Sequence, residues 1–403
     1  MAIYYFSLII LSILALVESN LKKIHFNFIS FSLYLLLIIL VGFRSETFGD
    51  YCSYVISFFD TPNIIGFFHI YQDYSFHFEY GYDAIMIISK SIISHHIFHF
   101  FVVGGLSLAI TFFCIRKMSP YFFLSILIFF SHVYLLKDLA QIRSGLAASI
   151  ILLSFYFLAN AKVIKYFSFV LLASSIHLTA LTTIIGYFFI RIMNIFSYQR
   201  MIYIIILSFV FLVTSLSFHF YLIDFFISQD LLPDRFYIYY GDCPEEFIGD
   251  CAMINNVNSQ SLGILTNFAT VKYLLVVLFC LLFFQKLIDN SKYFKTIFNF
   301  YFVGLCWIIF FNETGIFGSR ISSVFAAGEI ILIPMIVNII KPELISKLLV
   351  ILLSTCIAYV NINKHFEISN NSDLPYNAFY SGDFCPPIQN NWLHNKDLIM
   401  RVN

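Results

Sequence analysis

Charge is what this chain has least of: Asp, Glu, Lys and Arg make up 11% of its 403 residues, while 60% are hydrophobic. Soluble domains hold about 25% charged and about 45–50% apolar residues, so a water-soluble domain is excluded, and a mean hydropathy of +0.86 agrees. Net charge is zero, which removes the basic footprint of a nucleic-acid binder. The short motifs of metal and nucleophile chemistry are also missing. There is no Asp-x-Asp, His-Glu-x-x-His, Gly-x-Ser-x-Gly or phosphate-loop pattern, so neither a metal nor a cofactor is expected. His95, His96 and His99 cluster, but the end of an interfacial helix explains them as well as a metal would. Near Met1 there is neither a basic n-region nor a small-residue cleavage site, so the first apolar run is expected to stay as a helix.

What the chain does have is a succession of apolar runs. A hydrocarbon core needs about 20 apolar residues per helix, and runs at 2–17, 26–43, 97–115, 121–136, 144–161, 201–222, 262–285, 294–311, 321–340 and 348–362 approach that. The intervening basic residues fall in alternate short loops: Lys22/Lys23, Arg116/Lys117, Lys162/Lys165, Arg191/Arg200, Lys286/Lys292/Lys295 and Lys341/Lys347. Positive loops mark the cytoplasmic side. The acidic stretches at about 45–95 and 221–261, and a tail over 363–403, are then assigned to the other side. Lys165 and Arg191 both read as cytoplasmic, yet about 26 residues at about 1.5 Å each are too few for two full spans. Two short helices meeting at Ser175-Ile176-His177 resolve the conflict; one long tilted helix is the alternative. Within 45–95, the aromatic stretches 51–59 and 66–74 are too short to span and read as interfacial helices. An amphipathic stretch opens at Glu79 and runs to Ile93. The fold class is an all-α polytopic membrane protein with about 12 transmembrane or half-membrane helices, as a single domain over residues 1–362.

Polar residues at one set of helix ends carry the functional signal. Arg44 closes the second run, followed by Asp50; Arg143 opens another run in Gln141-Ile142-Arg143-Ser144; Arg320 opens a third in Gly318-Ser319-Arg320. Cations are disfavoured at helix N-termini by the macrodipole and in outer loops by the charge bias. Arg143 breaks both rules, which points to a ligand, with pairing to Asp138 as the plain alternative. Arg44 can instead snorkel to the interface, and Arg320 can pair with Glu313. His177 titrates near neutral pH and, like Lys272 inside the 262–285 run, is an intramembrane ionisable group of the kind that marks function. Of the eight cysteines, Cys114, Cys280, Cys306 and Cys356 read as small apolar residues. Cys52, Cys243, Cys251 and Cys385 lie on the outer side, where disulfides persist.

At these residues the chain resembles the EpsG/Wzy family of bacterial polysaccharide polymerases. The matching pieces are Gly42-Phe43-Arg44 with Gly49-Asp50-Tyr51 and Tyr54, then Phe78-Glu79-Tyr80-Gly81-Tyr82. Ile142-Arg143 with Ala147, Ala173-Ser174-Ser175-Ile176-His177 and Ser319-Arg320-Ile321 follow in order. The chain departs from the family pattern in lacking a residue between Gly49 and Asp50 and in carrying Ser144 after Arg143, where Gln is usual.

The resemblance implies a fold related to the lipid-dependent multi-spanning glycosyltransferases (GT-C-like). It implies polymerisation of repeat units carried on undecaprenyl pyrophosphate, at the periplasmic face of the bacterial inner membrane. The expected partners are those lipid-linked oligosaccharides, the bilayer and a chain-length regulator. The chemistry assigns roles. Breaking the anomeric C–O bond leaves a pyrophosphate, which guanidinium groups bind with paired hydrogen bonds. Arg143, Arg320, Arg44 and, as a lesser candidate, Lys272 are expected to hold it, while His177, Glu79 or Asp50 takes the proton of the acceptor hydroxyl. A lipid-linked oligosaccharide flippase and an O-antigen ligase are the rival readings.

Overall fold

The computed structural model describes residues 2–44, 50–70, 76–196, 198–215, 268–311 and 315–370, and every regular element among them is helical. The first helices are α1 (Ala2–Val17), α2 (Lys23–Gly42), α3 (Tyr51–Asp60), α4 (Ile64–Ile70), α5 (Tyr80–Ile92) and α6 (His96–Met118). α7 (Phe122–Phe129) runs into a π-helical turn (Phe130–Tyr134), followed by α8 (Ile142–Ala159) and α9 (Val163–Ser174). A 3-10 turn (Leu178–Thr182) leads into α10 (Thr183–Met193), then α11 (Gln199–Ser215). α12 (Phe268–Leu282), α13 (Phe284–Asn290), α14 (Phe294–Phe310), α15 (Gly315–Phe325), α16 (Glu329–Ile339) and α17 (Glu343–Asn370) complete the described chain.

Among the described residues, six helical segments are long and apolar enough to cross a membrane, and five shorter apolar helices accompany them. Several expected runs are broken. Of the 262–285 run, Phe268–Leu282 is α12, which bends by 78° into α13, while 262–267 lie outside the described residues. The 121–136 run gives way to the π-helical turn, and the 321–340 run is interrupted by a 3-10 turn at Ala326–Gly328. The last helix extends to Asn370, beyond the expected start of the tail. The 163–193 segment is a hairpin of short helices: α9 ends at Ser174 and His177 is extended (φ −152°, ψ 115°) before the chain turns back. The single tilted helix is thereby replaced. Of the stretches 51–59 and 66–74, the first is helical in α3 and the second is helical in α4 as far as Ile70, with 71–74 outside the described residues; Ile65 and Phe68 of α4 are 68% and 75% exposed.

Close helix contact, rather than expulsion of water, holds such a bundle together, because lipid tails are as apolar as the side chains. α2 and α6 meet through glycine. A Cβ on Gly104 would overlap Val41 Cγ1, and one on Gly42 would overlap the Phe101 ring. All eight residues of α7 are buried, packed by α1, α6, α16 and α17. Its N-terminus is closed by Glu18, whose carboxylate accepts the Phe122 and Phe123 N–H groups. An anion there complements the helix dipole.

Two ends of the bundle can be told apart. At the basic end, Arg116 donates to Asn27 and Lys292 donates to Asn160. At the opposite end, α3, α4 and α5 form a small platform against α6. Lys90 on α5 caps α3: its ammonium donates to the carbonyls of Phe58, Phe59 and Thr61, and the Ile64 N–H donates to Ser91 Oγ at 2.8 Å. Cys52 on α3 is disulfide-bonded, whereas Cys114, Cys280, Cys306 and Cys356 are free, as their helical positions suggest. Cys243, Cys251 and Cys385, the 221–261 loop and most of the tail lie outside the described residues.

Candidate functional site

The site is built on the unwound stretch between the π-helical turn and α8. Arg143 is the second residue of α8, whose preceding residue Gln141 supplies no side-chain cap. A cation at this dipole end needs compensation, and Glu79 provides it: Arg143 Nη1 donates to Glu79 Oε2 at 2.6 Å. Both side chains stay partly open, at 22% and 26% exposure. The guanidinium also lies 4.0 Å from the Phe78 ring centre, with Tyr54 and Tyr82 at 5.8 and 5.9 Å. Its Nε has no hydrogen-bond partner. The expected alternative, a pair with Asp138, does not form; Asp138 accepts from Ser107 at 2.5 Å instead.

Glu79 does more than neutralise Arg143. Its other oxygen accepts the Leu178 N–H at 3.1 Å, so one carboxylate ties the start of α8 to the α9–α10 hairpin. A second clip runs alongside. Gly81 N donates to Ser175 O at 2.7 Å, and a Cβ on Gly81 would overlap Ser175 Oγ, so only glycine permits the approach. Asp83, fully buried, holds the loop from behind by accepting the His77 and Phe78 N–H groups at 2.8 and 3.4 Å. Burial raises its carboxyl above the usual range, and those two hydrogen bonds oppose the shift.

His177 stands at the bend. Its Nδ1 accepts from the Thr179 N–H at 3.4 Å and lies 2.8 Å from Thr179 Oγ1. A backbone N–H can only donate, so the neutral imidazole carries its proton on Nε2 and offers a donor there. Burial holds the ring below its ordinary range, to about 4, with the Glu79 charge opposing and Arg143, Lys137 and Arg320 adding to the drop. His177 therefore shares an electrostatic environment with both arginines.

The remaining expected residues divide. Arg44 is only 4% exposed. Its Nη1 donates to Leu139 O at 2.7 Å, and its guanidinium lies 4.0 Å from the Phe100 ring centre and 5.5 Å from that of Tyr54. Tyr54 is thus wedged between Arg44 and Arg143. The Arg44 Nε and Nη2 groups have no acceptor. Arg320 is exposed on α15, which packs against both α8 and the 3-10 turn after His177; Glu313, its expected partner, lies outside the described residues. Asp50 is exposed just before α3, makes no side-chain cap there, and acts on Arg44 through charge alone. Lys272 is drawn elsewhere: it pairs with Glu329 at 2.9 Å. The same carboxylate binds His132 Nδ1 on the π-helical turn and accepts from Tyr301 at 3.3 Å. Sequence reasoning overlooked this gathering of Lys272, His132 and Tyr301 on Glu329, although Glu329 is the one acid in the 321–340 run. It also overlooked Lys137, whose Nζ donates to Ser323 O at 3.1 Å on α15.

Long apolar helices around a half-open cluster of arginine, glutamate and histidine at one end define a multi-pass membrane protein with a polar site at that end. The chain belongs to the EpsG family, whose model matches residues 27–378 and so includes every residue of the cluster. It is accordingly a polysaccharide polymerase-type membrane protein. No curated protein and no solved structure matches the chain.

Proposed function

We propose that the protein is an O-antigen or similar surface-polysaccharide polymerase. It joins repeat units carried on undecaprenyl pyrophosphate, at the periplasmic face of the bacterial inner membrane, on a GT-C-like fold. The observation that carries this reading is the Arg143–Glu79–His177 cluster. It unites a proton acceptor, an anion binder and a neutral donor where a lipid headgroup would be presented. The Cys52 disulfide at the same end of the bundle supports an oxidising compartment on that side.

In the reaction, the acceptor hydroxyl of a new lipid-linked unit attacks the anomeric carbon of the growing chain. The new C–O bond forms as the bond to pyrophosphate breaks, and its electron pair goes to the pyrophosphate oxygen. Glu79 takes the hydroxyl proton. Protonation cancels the charge that held Arg143, so the guanidinium is released towards the leaving group just as negative charge develops there. The unpartnered Arg143 Nε is available to the same oxygens. His177 donates from Nε2, so of the three candidate bases its tautomer suits it least. Arg320 supplies an open second cation. Arg44, closed in by aromatic rings, holds the Leu139 carbonyl and thereby the start of α8.

Deletion of the gene, followed by electrophoresis of surface polysaccharide, tests the activity. Single repeat units on the surface are expected. Their absence would favour a flippase or a ligase, because either would leave no such units there.

A further inference from the structure

Lys137 is 8% exposed, and its ammonium makes one hydrogen bond, to the Ser323 carbonyl at 3.1 Å. No carboxylate among the described residues lies within ion-pair distance of it, and neighbouring Asp138 turns its Oδ1 to Ser107. The other buried lysine, Lys347, has Glu343 at 2.8 Å. A buried charge without a partner is costly, and an ammonium with three donors and one acceptor lacks an anion.

Its position says which anion. Ser323, which receives the Lys137 bond, donates its own Oγ to the Arg320 carbonyl at 2.7 Å. On the other side, Gln141 N donates to Lys137 O at 2.8 Å, and Gln141 is the residue that precedes α8 and Arg143. Lys137 thus stands between the helices that bear Arg143 and Arg320. We propose that Lys137 is a phosphate-binding residue of this site, contributing a point charge to the pyrophosphate beside the guanidinium groups. The inference rests on the pyrophosphate reading above. Lysine binds phosphate as a compact charge where arginine binds it as a planar fork, so the combination suits a group with two adjacent phosphates.

The test measures binding of undecaprenyl pyrophosphate to the purified full chain in lipid nanodiscs. Lys137→Gln removes the charge and keeps an amide donor on a side chain one bond shorter; it is expected to bind at least about tenfold more weakly. Lys137→Arg is expected to restore binding to within about threefold of the wild type, which a packing role for the stem would not predict. Equal binding by Lys137→Gln overturns the proposal and leaves the Arg143 site standing. Lys137→Arg binding as weakly as Lys137→Gln also overturns it. A Lys137→Gln chain that no longer elutes as a monodisperse species assigns the charge to the scaffold and overturns it too. Absence of binding by the wild type overturns this inference and the pyrophosphate reading together.

Discussion

Two clusters in this molecule use nearly the same side chains to opposite ends. Around Glu329, a histidine, a lysine and a tyrosine converge on one carboxylate, with side-chain exposures of 2% for Glu329, 5% for His132 and 22% for Lys272. Around Glu79, an arginine and a backbone N–H share the carboxylate, both ionised side chains stay partly open, and an arginine N–H is left over. The first carboxylate holds three side chains and the second holds one, although each cluster keeps a nitrogen without a partner, His132 Nε2 and Arg143 Nε. A carboxylate that gathers side chains from three other elements ties those elements together, whereas one that holds a single cation leaves that cation partly exposed.

Substitutions should separate the two by what they damage. The largest effect on activity is expected at Arg143. Arg143→Ala abolishes polymer at normal protein level, and Arg143→Lys restores little because the two-pronged geometry is lost; a normal chain-length ladder on a gel would remove Arg143 from the reaction. The largest effect on folding is expected at Glu329. Glu329→Ala leaves Lys272 and His132 without their shared anion, at a cost of about 3–5 kcal/mol. Membrane-extracted protein should melt lower or fall in yield, while any surviving molecules keep their polymerising ability. A Glu329→Ala protein of unchanged stability that makes no polymer would reverse the comparison.

His177→Ala is next in size: the protein assembles but long chains disappear, and His177→Gln, which keeps a donor, recovers part of the ladder. Asp83→Ala removes the acceptor behind the Phe78–Glu79 loop. It should shorten the chains without abolishing them, a loss of about one to two hydrogen bonds' worth, about 1–3 kcal/mol. The smallest effect concerns pH. With the His177 pKa held down to about 4, the ring stays neutral well below its ordinary range. Its lowered value means that stability from this group is lost only as pH falls from about 6.5 towards 4. The rate of a reconstituted enzyme should therefore show no histidine step between about pH 5.5 and 7.5; a clear step near 6.5 would place His177 in contact with water.

The sequence carried the broad outline because it is written in long, repeated signals. Apolar runs and alternating basic loops located most helices, and the crowding of Lys165 against Arg191 was enough to expose the broken hairpin around Ser175. Its polar exceptions also located Arg143, Glu79 and His177. What it could not carry was pairing between distant segments. Arg143 to Asp138 was the natural local choice, but the partner that lies closest in space is Glu79, 64 residues away. The Lys272 assignment failed to anticipate Glu329 for the same reason. The breaks at 130–134 and 326–328 are equally invisible, since π and 3-10 turns leave the apolar composition of a run unchanged.

The Lys90 cap has a mechanical consequence. Because all three ammonium protons are committed to the end of α3, and Ser91 takes the Ile64 N–H as well, α3 and α4 are fastened to α5 at two points one residue apart. Glu79 is the residue from which α5 starts. The exposed Ile65 and Phe68 surface and the carboxylate that pairs with Arg143 are therefore opposite ends of one tethered unit.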